Sequence, residues 1–256
     1  MSPTIQMTTT ADAVSVAEAE YAALLTMLRA LPEAEWERPT DCTGWTVRDI
    51  VAHVAGAADE AVHLTVQGRH MFKAKTRDRK MALVDSLSKQ QIADREQRTN
   101  SEILNELAVL ATRAPKARSR VPMPMRRMAL PDPARQPGDS MGYLLDVIYP
   151  RDVWMHRIDI SRATGCEMSD SGAEDVVVAQ VVRDLQRAWR GAPFTLTLTG
   201  RGAGSWPIGG ENGGVLVADT VDLCRLWSGR SDESSPSYAG PHTEVVDELR
   251  TTRLLF

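Results

Sequence analysis

Apolar residues recur at helical spacing through the first two-thirds of the chain. Ala17, Tyr21, Leu24 and Leu28 follow one another three or four positions apart until Pro32, as on the buried face of an amphipathic helix. Similar patterns continue to about residue 165. The predicted helices cover residues 15–31, 46–68, 81–98, 101–113 and 150–165.

Capping signals support several of these helices. The pairs Ser15–Glu18, Thr46–Asp49 and Thr99–Glu102 each place an acidic residue three positions after a hydroxyl residue. The last helix begins either at Pro150, which suits a first helical position, or at Tyr143. The third and fourth stretches also fit one broken helix. Helices joined in this order are compatible with a four-helix bundle, a fold that often holds metals between facing helices.

The pattern changes after about residue 168. Residues 194–199 alternate strictly between apolar and polar side chains, which predicts a half-buried strand. Further predicted elements are strands at 205–208 and 215–218 and helices at 171–189, 219–228 and 243–250. We therefore predict an α+β protein, with a helical bundle in residues 1–167 and a small α+β domain in residues 168–256.

The connection between residues 114 and 138 contains six of the fourteen prolines, which predicts a long irregular segment. This segment and the residue before it contain seven basic residues but only one acidic residue, Asp132. Two interpretations are open: a solvated basic loop, or a contact for an anionic ligand near the mouth of a site. The basic residues are Arg113, Lys116, Arg118, Arg120, Arg126, Arg127 and Arg135.

The composition narrows the class of protein. The chain has 256 residues, of which 43% are hydrophobic, and a formal net charge of -4. This charge gives no drive toward nucleic acid or an anionic membrane. The chain lacks both the roughly 20 consecutive apolar residues of a membrane span and the apolar core of a signal peptide. We expect a cytoplasmic protein, monomeric or homodimeric, whose partners are small molecules.

The cysteines and two of the tryptophans are expected to be structural. Cys42, Cys166 and Cys224 are odd in number and far apart, which favours reduced thiols over disulfides or a cysteine zinc site. Large aromatic residues usually serve burial, so we expect Trp45 and Trp154 to be packing residues.

Two histidines and an aspartate form the candidate site. Asp152 and His156 are four residues apart on one predicted helix, so both side chains face the same side. His53, on the second predicted helix, can complete a set of three ligands. Three protein ligands and an open fourth position are the arrangement of catalytic zinc.

The same helices carry further candidate groups. Asp49 and Asp159 each lie about one turn from a histidine of this set and can accept its second N–H, although Asp49 equally serves the capping pair. A rival site of Glu60, His63 and His70 lies on the same predicted helix as His53.

Three segments form recognisable motifs. The first, 39–54, ends in Thr-Gly-Trp-Thr-Val-Arg-Asp-Ile-Val-Ala-His-Val; the second, 152–160, reads Asp-Val-Trp-Met-His-Arg-Ile-Asp-Ile; the third, 222–230, ends in Trp-Ser-Gly-Arg. In this order, over nearly the whole chain, they resemble the mycothiol-dependent maleylpyruvate isomerase family of actinobacteria. The resemblance implies a DinB-like metal-binding four-helix bundle followed by a small domain similar to sterol-carrier proteins.

The resemblance also implies chemistry. His53, Asp152 and His156 would bind a divalent metal, usually zinc, with mycothiol as cosubstrate, and Arg230 would be catalytic. The characterised isomerases have a glutamate where this chain has Asp152, which is one methylene shorter. We expect Arg230 at an exposed helix end between the domains, where it holds a substrate carboxylate; the alternative is a surface arginine beside a helix C-terminus.

Three classes of function remain open at this point. The first is a metal-dependent enzyme that uses a low-molecular-weight thiol as nucleophile on a small electrophile, either as a cis-trans isomerase or as a thiol S-transferase. The second is a non-catalytic small-molecule-binding protein. The third is a metal-dependent hydrolase that uses bound water as nucleophile.

Overall fold

The computed structural model describes residues 5–78, 80–130, 136, 139–210, 213–231, 234 and 236–256. Within these residues the fold is α+β, with many helices and one small sheet, which confirms the predicted class. The helices are α1 (Thr10–Ala30), α2 (Val47–Val62), α3 (Leu64–Thr76), α4 (Leu83–Ala93), α5 (Asn100–Ala111), α6 (Ala114–Ser119), α7 (Met123–Arg126), α8 (Met141–Tyr143), α9 (Tyr149–Thr164), α10 (Glu174–Ala188), α11 (Thr220–Trp227) and α12 (Glu244–Thr251).

Four helices form the bundle that positions the candidate site. α1 packs against α5 and α9, and α2 packs against the same two helices. Their apolar faces meet in a core that includes Leu24, Ile50, Leu107 and Trp154, all fully buried. The predicted four-helix bundle is therefore present.

The helix starts agree in part with the capping signals. Thr46–Asp49 and Thr99–Glu102 form capping boxes at the starts of α2 and α5. The predicted start at Ser15 is wrong, because α1 begins at Thr10, where the Thr9 side chain accepts from the backbone N–H of Asp12. The pattern from residue 17 onward marked only the later part of this helix.

The second predicted helix is divided. α2 ends at Val62 because His63 has extended backbone angles, φ -122° and ψ 95°, and α3 restarts at Leu64. The predicted continuous helix to Gly68 is therefore wrong. The break leaves His63 between the two helices and places His70 on α3 rather than on the helix that carries His53.

The predicted irregular segment is wrong in its first half, where α6 and α7 lie. Pro115 and Pro124 occupy first-turn positions in these helices, where a proline sacrifices no intrahelical hydrogen bond. Arg118 and Arg126 are buried, so the segment is not simply a solvated basic loop. Most of its second half, including Pro131, Pro133, Arg135 and Pro137, lies outside the described residues.

Helix α9 carries Asp152 and His156. It continues from a π-helical turn over Leu144–Ile148 and has Pro150 in its first turn. It ends at Gly165, whose positive φ of 70° closes the helix. Both predicted starts thus belong to one helical segment, and the predicted end is confirmed.

The sheet consists of β1 (Phe194–Thr199), β2 (Gly204–Ile208), β3 (Gly214–Asp219) and β4 (Ser237–Ala239), in the order β2-β1-β3-β4. β1 pairs antiparallel with β2 and parallel with β3, while β4 pairs antiparallel with β3. The three predicted strands are confirmed. β4 was not predicted because its three residues are too few to show an alternating pattern.

One continuous apolar core joins the bundle and the sheet. Buried side chains of α2 and α9 belong to the same cluster as those of β1, β3 and α11. This contact brings the C-terminal part of the chain against α2 and α9, while the domain boundary at residue 168 stays a prediction. None of the described helices combines the length and apolar character needed to span a bilayer.

Candidate metal centre

Helices α2 and α9 bring the three predicted ligands together. His53 Nε2 is 3.5 Å from Asp152 Oδ2, and His156 Nε2 is 3.3 Å from Asp152 Oδ1. One donor atom from each of the three residues lies within 4.8 Å of the other two. Ligand atoms about 2.05 Å from a tetrahedral zinc ion are about 3.4 Å apart, so the observed spacing fits one ion. We call His53, Asp152 and His156 the triad.

The triad is buried on its histidine side and more open at the carboxylate. The side chains of His53 and His156 are 11% and 4% exposed, whereas that of Asp152 is 20% exposed. The two imidazole rings meet edge to face, with centroids 5.2 Å apart. Both Nε2 atoms therefore face the same carboxylate, with solvent access from its side.

Burial and mutual attraction set the proton equilibria of the triad. Burial raises the pKa of Asp152, but His156 and His53 together outweigh it, and the pKa lies well below its ordinary value. Burial lowers the pKa of His156, whereas Asp152 and Asp159 raise it, and the pKa lies well above its ordinary value. A metal ion must therefore displace a proton from His156.

Asp159 holds the other nitrogen of His156. Its Oδ2 atom lies 2.9 Å from His156 Nδ1, and the residue is fully buried. Burial raises the pKa of Asp159, but His156 and Arg230 outweigh it and lower the pKa. A carboxylate that accepts from Nδ1–H leaves the Nε2 lone pair of the same ring for a metal.

Arg230 links the C-terminal part of the chain to this carboxylate. Its Nε donates to Asp159 Oδ1 and Oδ2 at 2.8 and 3.1 Å. The side chain is only 14% exposed, so both the predicted exposed helix end and the surface-arginine alternative are wrong. The predicted location between the two parts of the chain agrees with these contacts.

The turn before α2 contributes two residues that sequence reasoning treated as structural. Cys42 Sγ lies 3.3 Å from Asp159 Oδ2 and 3.6 Å from Arg230 Nη2. The ring centroid of Trp45 lies 5.1 Å from that of His53. Their position directly before the His53 helix was the available signal, but it does not reveal a contact with α9.

The remaining candidate groups lie elsewhere. Asp49 serves the capping box of α2 rather than His53, whose Nδ1 is buried without a hydrogen-bond partner among the described residues. The rival site does not form as predicted: His63 pairs with Asp59, whereas His70 Nδ1 lies 2.6 Å from Glu60 Oε1. The break at His63 separates these residues into two different ion pairs.

The donor set fits a divalent ion of the zinc type. Two imidazoles and one carboxylate are ligands that zinc prefers, and three protein ligands leave a position for a further molecule. Asp159 supplies to His156 the outer hydrogen bond that metal-bound histidines normally make, whereas His53 has no such partner among the residues that the structure describes. The site can therefore hold a cation and present it to a small molecule.

Comparison with known sequences assigns the family. The profile described as "Mycothiol maleylpyruvate isomerase N-terminal domain" matches residues 17–161, more than half of the chain and all of the triad. The chain belongs to this family. The match confirms the predicted relationship to the maleylpyruvate isomerase family. No curated protein sequence is significantly similar to the chain.

Solved structures share the fold of this family member. One is a crystal structure of the mycothiol-dependent maleylpyruvate isomerase, which is 16% identical, has a TM-score of 0.58, and matches 90% of this chain and 93% of that one. A histidine-to-alanine mutant of the mycothiol-dependent maleylpyruvate isomerase gives 17% identity, a TM-score of 0.57 and the same coverage. The likeness therefore extends beyond the family-matched region into the sheet.

Proposed function

We propose that the chain is a metal-dependent enzyme that uses a low-molecular-weight thiol, mycothiol by its family, to act on a small electrophile as a cis-trans isomerase or a thiol S-transferase. The observation that carries this proposal is the convergence of the triad within 4.8 Å from two helices of the bundle. Similarity to the maleylpyruvate isomerase fold supports it.

His53 Nε2, His156 Nε2 and the Asp152 carboxylate would hold the metal, which we propose to be zinc. When bound, a divalent cation supplies a Lewis acid and favours the deprotonated form of a thiol. Asp159 keeps the proton of His156 on Nδ1, 2.9 Å away, so that Nε2 faces the triad. Trp45 covers the His53 ring and limits the access of water from that side.

Arg230 is the proposed catalytic residue of the C-terminal part. Its Nε donates a hydrogen bond to Asp159, and this contact fixes the guanidinium next to α9. Its terminal nitrogens are the donors suited to a planar carboxylate, and a fixed guanidinium binds one bidentately, which lysine does not imitate. A substrate with a carboxylate next to an electrophilic carbon fits this arrangement.

The two proposed reactions differ in the fate of the sulfur. In the isomerase, the thiol sulfur adds to one carbon of a cis alkene, the resulting single bond rotates, and elimination of the thiol gives the trans alkene. In the S-transferase, the carbon–sulfur bond remains, and the product is a thioether. Both reactions need the same groups, so the electrophile decides between them.

The test combines elemental analysis of the purified protein with mass spectrometry of reaction mixtures that contain mycothiol and a panel of small electrophiles, including cis-alkene carboxylic acids. We expect about one divalent metal per chain and either a thiol adduct or a trans isomer. Turnover that does not need thiol would favour hydrolysis. Protein that folds without metal and binds apolar ligands without turnover would favour the binding-protein alternative.

A further inference from the structure

Arg118 is a buried cation whose position was not predicted. It lies on α6, is only 4% exposed, and forms no ion pair with a carboxylate of the described residues. Its Nη1 donates to the Tyr21 hydroxyl at 3.3 Å, and its Nε is buried without a hydrogen-bond partner in the described part of the chain. Arginine is rarely buried unless it is paired, so an unpaired one needs a reason.

The contacts of Arg118 place it one helical turn from the triad on both metal-carrying helices. Its Nη2 donates at 3.0 Å to the carbonyl of Ala57, four residues after His53 on α2. Its guanidinium carbon lies 3.8 Å from the ring centroid of Tyr149, three residues before Asp152 on α9. The charge therefore lies inside the bundle, between α2 and α9.

The residues around Arg118 keep its guanidinium protonated but do not pair its charge with a carboxylate of the described residues. Burial lowers the pKa of Arg118, whereas Tyr21, Tyr149 and, more weakly, the charge of Asp152 raise it, and the net direction is upward. Asp152 is thus close enough for its charge to act on Arg118. The reverse also holds: the positive charge of Arg118 acts on the triad.

We propose that Arg118 supplies a fixed positive charge to the triad, which disfavours a metal cation there but favours an anion, such as a thiolate, beside the bound metal. This inference rests on the proposed function, because it assumes a metal at the triad. Arg118 is in this account a positioning residue that acts through the electrostatic field. For unit charges about two helical turns apart at an effective dielectric constant of about 20, the expected effect is about tenfold.

The direction in which metal and anion affinities change shows whether Arg118 acts by its charge or only by holding α2 and α9 together. A residue that only held α2 and α9 together would, when replaced, weaken the binding of metal and anion alike. A residue that supplies charge would, when neutralised, strengthen metal binding and weaken anion binding. The conservative lysine variant keeps the charge and loses the planar contact with Tyr149, so it tests the two roles against each other.

The experiment compares wild type, Arg118→Gln and Arg118→Lys. Zinc affinity is measured by competition with a chromogenic chelator, and azide affinity by the visible absorption of the cobalt-loaded protein. We expect Arg118→Gln to bind zinc about tenfold more tightly and azide about tenfold more weakly, while Arg118→Lys stays within about threefold of wild type for both. Arg95→Gln is the control, because Arg95 is equally buried but paired with Asp59 and Glu106.

A second pair of variants leaves Arg118 in place. Val14 lies on α1 and lines a small cavity together with Arg118 and Ser119. Asp146, which also lines this cavity, is paired with Arg126. Val14→Glu would add a further carboxylate to the cavity, and we expect it to act in the same direction as Arg118→Gln; Val14→Gln, of similar size and uncharged, should not. This pair keeps the inference testable if Arg118→Gln does not fold.

Loss of zinc affinity in Arg118→Gln and Arg118→Lys alike, or zinc and azide affinities that do not respond to the charge at either position, would overturn the inference. The proposed function would survive that result if the wild type still binds metal and uses thiol. A wild-type protein that binds neither zinc nor cobalt would overturn the proposed function and the inference together.

Discussion

Helix α2 supports two clusters of imidazoles and carboxylates that look alike in sequence and differ in structure. In the triad, two imidazoles share one carboxylate at 3.5 and 3.3 Å. In a second group, which we call the outer cluster, one imidazole is held between two carboxylates: His70 lies 2.6 Å from Glu60 and 2.8 Å from Asp94. The triad thus sets two imidazoles against one shared carboxylate, whereas the outer cluster sets one imidazole against two carboxylates.

The outer cluster is saturated. Both ring nitrogens of His70 have a carboxylate partner, and its side chain is 0% exposed. Glu60 also accepts from Gln91 at 2.9 Å, and Arg69 pairs with Asp94. These bonds tie α3 and the end of α4 to α2, so the cluster stabilises the fold. Spacing alone does not distinguish a ligand set from an ion pair. His156, like His70, has a carboxylate at each ring nitrogen, and the triad differs by the second imidazole, His53, beside the shared carboxylate.

The largest expected difference between the clusters concerns metal affinity. His156→Ala should weaken zinc binding by more than about a hundredfold, because changes in the hydrogen-bond partners of metal ligands already cost about 10- to 100-fold. His70→Ala, measured on the folded fraction, should bind zinc as wild type does. Competition with a chelator measures both. Equal losses in the two variants would erase the distinction between the clusters.

The second expected difference concerns the free energy of unfolding, and here the larger effect is expected in the outer cluster. His70→Gln in metal-free protein leaves the buried Glu60 carboxylate without its cation and Asp94 with Arg69 alone, and should cost about 3 kcal/mol of unfolding free energy. His53→Gln should cost about 1 kcal/mol or less, since Asp152 keeps His156. Urea unfolding of the metal-free variants provides the measurement. A larger loss in His53→Gln than in His70→Gln would contradict the structural role of the outer cluster.

A rising pH should reduce the stabilisation that the outer cluster gives the fold and should strengthen metal binding at the triad. Burial lowers the pKa of His70, but the hydrogen bonds to Glu60 and Asp94 outweigh it and raise the pKa. A raised pKa means that the stabilisation is complete below the ordinary value of about 6.5 and is lost as the pH rises through the raised value. In the triad, a rising pH removes the proton of His156 and should strengthen metal binding, by up to about tenfold per pH unit.

Two titrations check this reversal. The difference in unfolding free energy between wild type and His70→Gln, without metal, should shrink from about pH 6.5 upward. Zinc affinity should increase over the same range in both proteins. A stability difference that grows with pH would show that His70 is neutral in the folded protein, and a zinc affinity that does not change with pH would show that no proton is displaced.

The smallest expected effect is at Asp152, where the resemblance described above implies a glutamate. Asp152→Glu adds one methylene and should change zinc affinity by less than about tenfold, whereas Asp152→Leu should abolish binding. The 20% exposure of Asp152 leaves room for the longer side chain. Loss of binding in Asp152→Glu would show that the spacing of α2 and α9 has adapted to the shorter carboxylate.

Much of the fold was predictable because long segments with a clear hydrophobic periodicity form most of its elements. Helix α9 and strand β1 have clear patterns and end where a glycine or a loop stops them. The start of α1 and the breaks at His63 and in the proline-rich segment were not predictable, because short local signals compete there. Pro115 looked like a helix breaker but starts one.

The triad was predictable from residue types, spacing and family motifs, whereas its supporting residues were only partly so. Asp159 lies one turn from His156 on the same helix, and local spacing was enough to find it. Cys42 reaches the site, and Arg118 lies near it, only through contacts between distant parts of the chain. Arg118, for example, depends on Tyr21 and Tyr149 from two other helices.

Cobalt spectroscopy tests most directly whether the triad holds a metal at which a thiol binds. Wild-type protein loaded with cobalt should gain a thiolate-to-cobalt absorption in the near ultraviolet when mycothiol is added. His70→Gln should give the same band, and His156→Ala should give none. A cobalt spectrum of the wild type that does not change at saturating thiol would contradict the account.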